Sequence, residues 1–406
     1  MTSVCSAHPV VLRAALRFGR DRQIAVLIEA TCNQVNHRGG YTGMRPADFA
    51  ALVFQIADEE GCPRDLIHLG GDHLGPNPWR EYEARAAMAE AEQMVAAFVA
   101  AGFRKIHLDA SMGCRGELAA LDDEITANRA ARLAAVAEAT AAKSRLPAPL
   151  YVIGTEVPPP GGADHALSAL DPTTPQAAQR TIAVHRRAFT DAGLAGAFAR
   201  VIGIVVQPGV EFGNHNVIRY DRSKARALIE VLSHEPQFVF EAHSTDYQGT
   251  ASLSALVADG FQILKVGPEL TFVLREALYA LDLIASDLLA DYGSRPLVRV
   301  MERIMTDEPA HWARHYHGNA AEQRMLRHYS FSDRIRYYWP HPEAEAAVTR
   351  LLAALHGRQV PEPLFWQHMP GARHFANRPL DPNQILIWRV GQSLEAYHAA
   401  GSPGRP

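Results

Sequence analysis

Short aliphatic and β-branched runs recur along the chain, each followed by polar residues and then by an alanine-rich stretch whose apolar positions repeat at helical spacing. The runs predict strands at Ile24–Ala30, Leu66–His73, Lys105–Met112, Leu150–Val157, Val201–Gly209, Phe238–Ser244 and Ile263–Pro268, with an eighth at Ser332–Trp339. Helical periodicity fills the intervals, at Pro46–Glu60, Ala84–Ala101, Ile125–Ala142, Thr174–Ala192, Ser223–Leu232, Ser252–Asp259 and Glu269–Leu289. Val201–Val206 is apolar almost throughout, as in a parallel strand covered on both faces. Eight such units predict an α/β protein built as a closed (β/α)8 TIM barrel. On this reading residues 1–357 form the barrel, with extra helices at 295–327 inserted before the last strand and Pro342–Gly357 as the final barrel helix. Residues 358–406 become a C-terminal helical extension packed on the barrel.

Composition narrows the class further. The 406 residues are 48% hydrophobic and carry 40 Lys plus Arg against 44 Asp plus Glu, so a large core is available and disorder is excluded. A net charge of -4 without a polybasic run argues against nucleic acid and anionic membranes as partners. The most apolar long segment, Phe272–Ala290, contains Arg275, Glu276, Asp282 and Asp287, which hydrocarbon would not tolerate. Cys5, Cys32, Cys62 and Cys114 show no C-x-x-C spacing, and the N-terminal residues lack the apolar run of a signal peptide, so a cytoplasmic protein is expected. No G-x-G-x-x-G follows the first predicted strand and no G-x-x-x-x-G-K-[ST] occurs, which removes the main support for a nucleotide fold.

In a parallel barrel the chemistry sits at the C-terminal strand ends and in the loops after them. Those positions are densely polar. They supply Glu29 and Asn33, then Asp72-His73, then His107 and Asp109, then Glu156, then Gln207, and finally Glu241, His243 and Asp246. Each residue alone has a structural alternative, since a strand-end carboxylate can cap the next helix and a buried histidine can be a satisfied core residue. Taken together they would crowd acids and imidazoles around one mouth, and a cation resolves that repulsion. Imidazole and carboxylate donors suit Zn²⁺, Mn²⁺, Co²⁺ or Ni²⁺, with His73, His243 and Glu156 as the expected ligands and Asp109 or His107 in contact with the ion or beside it. Asp72, Glu241 and Asp109 are the candidate acid–base groups.

Lysine is rare in the chain, and Lys265 lies inside an apolar strand. It could form a Schiff base with a ketose, pair with a strand-end glutamate, or hydrogen-bond a substrate oxygen. Ser332, Arg334 and Arg336 on the predicted last strand, with Gly267 after the seventh, fit a phosphate-binding role, because late barrel loops often hold phosphate and guanidinium grips it bidentately.

Ile28 to Asn36, Gly39 to Met44, Gly70 to Asn77, Tyr151 to Val157, Val205 to Phe212, Phe240 to Gln248, Lys265 to Pro268 and Tyr329 to Trp339 resemble the Z-type subunit family of tagatose-bisphosphate aldolase. That family also holds D-tagatose 6-phosphate 4-epimerases. The resemblance implies a sugar-phosphate substrate, a divalent metal, Asp72 in proton transfer, and His73 and His243 as metal ligands. Since C4–H of a 2-ketose is not adjacent to the carbonyl, inversion there calls either for retro-aldol cleavage and reclosure of C3–C4 or for prior migration of the carbonyl. The resemblance equally allows a non-catalytic subunit that stabilises a class II aldolase, and a homo-oligomer is expected.

Overall fold

The computed structural model describes residues 1–155 and 170–401. Eight parallel strands close into a barrel in chain order: β1 (Thr2–Cys5), β2 (Val26–Thr31), β3 (Ile67–Leu74), β4 (Lys105–Leu108), β5 (Leu150–Ile153), β6 (Val201–Val205), β7 (Val239–Ala242) and β8 (Ile263–Val266). The helices that return the chain are α1 (Pro9–Arg22), α2 (Pro46–Glu60), α3 (Ala84–Ala100), α4 (Asp123–Ser144), α5 (Pro175–Asp191), α6 (Arg222–Ile229), α7 (Gly249–Ala258) and α8 (Pro268–Leu288). Several helices begin where their sequence says they should: Thr174 accepts a hydrogen bond from Ala177 N at the start of α5, and Asp221 accepts one from Ser223 N at the start of α6.

The barrel closes differently from the expectation. Its remaining strand is Thr2–Cys5, which pairs with β2 on one side (Ser3 opposite Leu27) and β8 on the other (Ser3 opposite Lys265). The segment 332–339 is not a strand. Asp333 adopts φ 46°, and Arg334–Tyr338 coil into a 3-10 helix in which Arg336 Nη1 donates back to the carbonyls of Ser332 and Asp333. The polar–apolar alternation that mimics a strand there serves a tight turn, because each arginine satisfies nearby carbonyls. Helices in 295–327 therefore follow the last strand instead of preceding it, and Pro342–Leu355 is not a barrel helix.

Beyond the barrel come α9 (Pro296–Asp307), α10 (Ala320–Tyr329), α11 (Pro342–Leu355), α12 (Glu362–His368) and α13 (Pro382–Gly401). α13 packs against α1, α7 and α8, burying Ile385, Leu386, Val390, Leu394 and Tyr397. Each such side chain contributes on the order of 1.5–3 kcal/mol when fully removed from water. A buried Arg275–Asp333 ion pair at 2.9 Å fastens the turn at 333 to α8. No helix among the described residues is long and apolar enough to cross a membrane.

Aliphatic side chains usually fill the inside of such a barrel. Here a small cluster of Val152, Val205 and Ile202 fills part of it, while Ser3, Glu29, Lys105, His107, Glu241 and Lys265 are buried polar residues carried by the barrel strands. Gly70 makes room for one of them: a Cβ at that position would lie 2.4 Å from Glu29 Oε1.

Candidate functional site

Neighbouring residues on a strand normally face opposite sides. Asp72 and His73 escape that rule because the β3–β4 register shifts between Gly71 and Leu74, and His73 takes φ 51°. Both side chains line one cleft at the mouth of the barrel. The following turn is equally specific, since a Cβ on Gly75 would lie 1.5 Å from the carbonyl oxygen of Asp109.

Three imidazoles meet there. The ring centroids of His73, His107 and His243 are 5.1, 4.8 and 5.2 Å apart pairwise, and all three residues are buried. Each ring has a carboxylate at one nitrogen. His73 Nδ1 lies 2.8 Å from Asp109 Oδ2, His107 Nδ1 lies 2.8 Å from Asp72 Oδ1, and His243 Nε2 lies 3.0 Å from Glu241 Oε1. His107 Nδ1 also accepts from His73 N at 3.2 Å, and His73 Nε2 stands 3.6 Å from Asp72 Oδ2; a ring whose carboxylate-facing nitrogen carries the proton keeps its lone pair on the other nitrogen. His107 Nε2 is buried without a hydrogen-bond partner among the described residues. One ligand atom from each of Asp72, His73, His107 and His243 falls within 4.8 Å of the others, so these four could hold a metal ion.

Two lysines lie below. Lys265 Nζ contacts Glu29, stands 2.6 Å from Asp72 Oδ1 and is 3.6 Å from Glu241 Oε1. Lys105 Nζ lies 2.7 Å from Glu29 Oε1 and 2.6 Å from Glu241 Oε2. Burial alone would raise the carboxylate pKa values and lower those of the lysines, but mutual attraction wins. Glu29 is held below its usual range, Asp72 and Glu241 well below, while Lys105 is raised and Lys265 is raised well above its ordinary value. Asp109 is lowered to about 2 despite its burial, chiefly by its bond to His73.

The charges do not cancel. Glu29, Asp72, Asp109 and Glu241 bring four negative charges, Lys105 and Lys265 bring two positive ones, and all six are buried. A divalent cation among the imidazoles would restore neutrality. Without one, His73 is the ring whose pKa is raised, because the carboxylates of Asp72 and Asp109 outweigh its burial. Burial instead lowers His243 to about 4. A second cluster of potential ligands, Cys5, Glu29 and Asp72, already has the Lys265 ammonium against both of its carboxylates. The donor set that fits an ion is therefore the histidine one.

The cleft above has a volume of about 310 Å³, in the range of small-molecule sites. Asn33, Asp72, His73, His243, Asp246, Lys265 and Arg336 line it. Glu29, Glu241, Asp109 and His107 lie beneath or beside that surface. Gln207 does not line the cleft and spends its Oε1 on the amides of Gly209 and Val210. Ser332 is buried among Ser330, Asn214 and Tyr316, and Arg334 Nη1 donates to the His311 carbonyl. Glu156 lies outside the described residues. The signal for Lys105 and for His107 as a full member of the trio was the spacing of two along Lys105–His107–Asp109, which puts Lys105 and His107 on one side of β4 with Asp109 just past its end. Cys5, Tyr41 and Tyr337 also line the cleft, and nothing in the sequence pattern marked them.

A family model described as D-tagatose-1,6-bisphosphate aldolase subunit GatZ/KbaZ-like matches residues 1–402. The chain belongs to this family. It is 59% identical over 405 residues to a D-tagatose 6-phosphate 4-epimerase of Agrobacterium fabrum, covering 100% of this chain and 95% of that protein. A solved structure from Sinorhizobium meliloti 1021, described as a probable tagatose 6 phosphate kinase, superposes with a TM-score of 0.90 at 53% identity, covering 98% of this chain and 99% of that one.

Proposed function

We propose that this protein is a divalent-metal-dependent 4-epimerase that interconverts D-tagatose 6-phosphate and D-fructose 6-phosphate. The observation that carries the reading is the trio of imidazoles, each backed by a carboxylate, beneath a cleft in a chain 59% identical to a 4-epimerase of that substrate. His73, His107 and His243 would hold the ion, with Asp72 beside it, and an imidazole-rich set suits Zn²⁺, Co²⁺ or Ni²⁺ better than Mg²⁺ or Ca²⁺. A bound ion would supply positive charge for the oxyanion that develops on the ketose.

The protein's own residues supply proton transfer. Asp72 lines the cleft and is held ionised by Lys265 and the imidazoles, so it is the group placed to take the C4 hydroxyl proton. As that proton leaves, the C4–O electrons form an aldehyde and the C3–C4 bond breaks, with its electron pair passing into a C2–C3 enediolate. Rotation of the aldehyde and reclosure of C3–C4 return the proton and leave C4 inverted. Asp109 orients His73 and Glu241 orients His243, while Glu241 and Glu29 also hold the two lysines.

Purified protein incubated with either sugar phosphate, before and after chelation, tests this. Activity lost on chelation and restored by one of Zn²⁺, Mn²⁺, Co²⁺ or Ni²⁺ is the expected result. No conversion with any of them would overturn it. The family description favours a second reading, a subunit that supports a class II tagatose-bisphosphate aldolase in the cytoplasm. In that case a stable complex co-purifies, and Asp72→Asn and His73→Ala leave its support of the aldolase unchanged.

A further inference from the structure

Late barrel loops and helix N-termini are the usual places for a substrate phosphate. In this barrel the N-terminus of α8 is already taken. Asp246 Oδ1 accepts from Gly267 N at 3.0 Å and from Glu269 N at 2.8 Å, and the Glu269 carboxylate accepts from Tyr247 N at 2.6 Å. Burial, and then the nearby Glu269 charge, raise Asp246 to about 7. A phosphate dianion would have to displace one acid and face another.

Among the described residues, two Lys or Arg side chains line the cleft, Lys265 and Arg336. Lys265 is consumed by Asp72 and Glu29. Arg336 makes no ion pair among the described residues. Its Nη1 is tied to the carbonyls of Ser332 and Asp333, its Nη2 donates to Tyr337 Oη at 2.9 Å, and its Nε has no acceptor among the described residues. The guanidinium lies over the Tyr337 ring at 4.5 Å, and that ring meets Tyr41 edge-on at 4.7 Å. The fork is thus held rigid by neutral groups with donors to spare, as an anion site requires.

We propose that Arg336, positioned by Tyr337, is the phosphate anchor of the cleft, and that it sets the preference for phosphorylated over free ketoses. This rests on the sugar-phosphate reading above. Binding of D-glucitol 6-phosphate and of D-glucitol, neither of which can react, separates the two ideas because it needs no turnover. Titration calorimetry on the metal-loaded protein should show Arg336→Gln weakening the phosphorylated probe roughly 10- to 100-fold, the range for a hydrogen-bonded charge. Glucitol binding and metal content should not change. Arg336→Lys, which keeps the charge but loses the fork, should fall between, and Tyr337→Phe should weaken only the phosphorylated probe, by less. Equal weakening of both probes, or undiminished binding to all three variants with a gain in Asp246→Asn, would overturn the proposal in favour of the α8 terminus. Absence of epimerase activity with phosphate binding at Arg336 intact would count against the epimerase reading alone.

Discussion

Lys265 Nζ on β8 stands 2.6 Å from Asp72 Oδ1 on β3, so strands that are not neighbours in the barrel are joined by a buried ion pair beneath the cleft. The pairing decides what that lysine does. An amine that attacks a carbonyl must be neutral, yet Asp72, Glu29 and Glu241 overcome burial and keep this one protonated. Borohydride added with D-tagatose 6-phosphate should therefore leave the protein mass unchanged. Lys265→Met should abolish turnover and destabilise the fold by about 3–5 kcal/mol, the cost of leaving buried acids uncompensated. A trapped adduct at Lys265, or a Met variant as stable as the parent in denaturant titration, would contradict this role.

Metal content should follow the imidazoles and their carboxylates in graded fashion. His107→Ala removes the nitrogen that is buried without a partner, and the purified variant should lose most of its bound ion by elemental analysis. Asp109→Asn keeps the bulk but weakens the hold on His73 Nδ1, and affinity should drop roughly 10- to 100-fold in a chelator competition. Full occupancy in His107→Ala would show that the trio does not act together.

Most of the barrel was legible because βα alternation leaves a strong periodic trace: the strands expected over Val201–Gly209 and Ile263–Pro268 contain the observed β6 and β8, and that over Leu66–His73 overlaps all of β3 but Leu74. The strand that closes the ring was hidden, since Thr2–Cys5 is four residues long and has no apolar run of its own. The false strand at 332–339 shows the converse, an alternating pattern produced by a 3-10 turn whose arginines satisfy carbonyls. At the site, Asp72-His73 stood out as a pair, but alternation gave no hint that both would face one cleft. That depends on the register shift in β3 and on a left-handed histidine, which only the packed barrel defines.

Two glycines should respond in opposite ways to alanine. At Gly75 the added methyl would overlap the Asp109 carbonyl, a backbone atom that cannot step aside, so β3 and β4 must separate and Asp109 must leave His73. Gly75→Ala should lower both the melting temperature and the metal affinity. Gly391 lies within α13 with nothing within 4 Å of its would-be Cβ, and alanine there should stabilise by about 0.5–1 kcal/mol through helix propensity. Melting curves of the two variants with and without metal give the comparison, and a silent Gly75→Ala would mean that the β3–β4 approach is looser than described.

Acid sensitivity has a second source far from the cleft. His185 on α5 is fully buried, with Nδ1 2.8 Å from the Thr181 carbonyl and no partner for Nε2 among the described residues. Burial lowers its pKa to about 4, against 6.5 for an unperturbed histidine. Between those values the unfolded chain holds a proton that the folded one refuses, so stability is complete above about pH 6.5 and falls as the pH drops toward 4. The slope for one proton is about 1.4 kcal/mol per pH unit, which brings the loss across that window to roughly 3 kcal/mol at most. His185→Leu removes the titrating group and its orphaned nitrogen while filling much of the same space. Measured on chelated protein, so that metal release does not contribute, the variant's stability relative to the parent should rise steadily from pH 7 to pH 4.5. Other depressed histidines, such as His8 and His328, act equally in both proteins and cancel in the difference. Parallel stability curves would place the acid lability elsewhere and show that His185 is protonated as readily folded as unfolded.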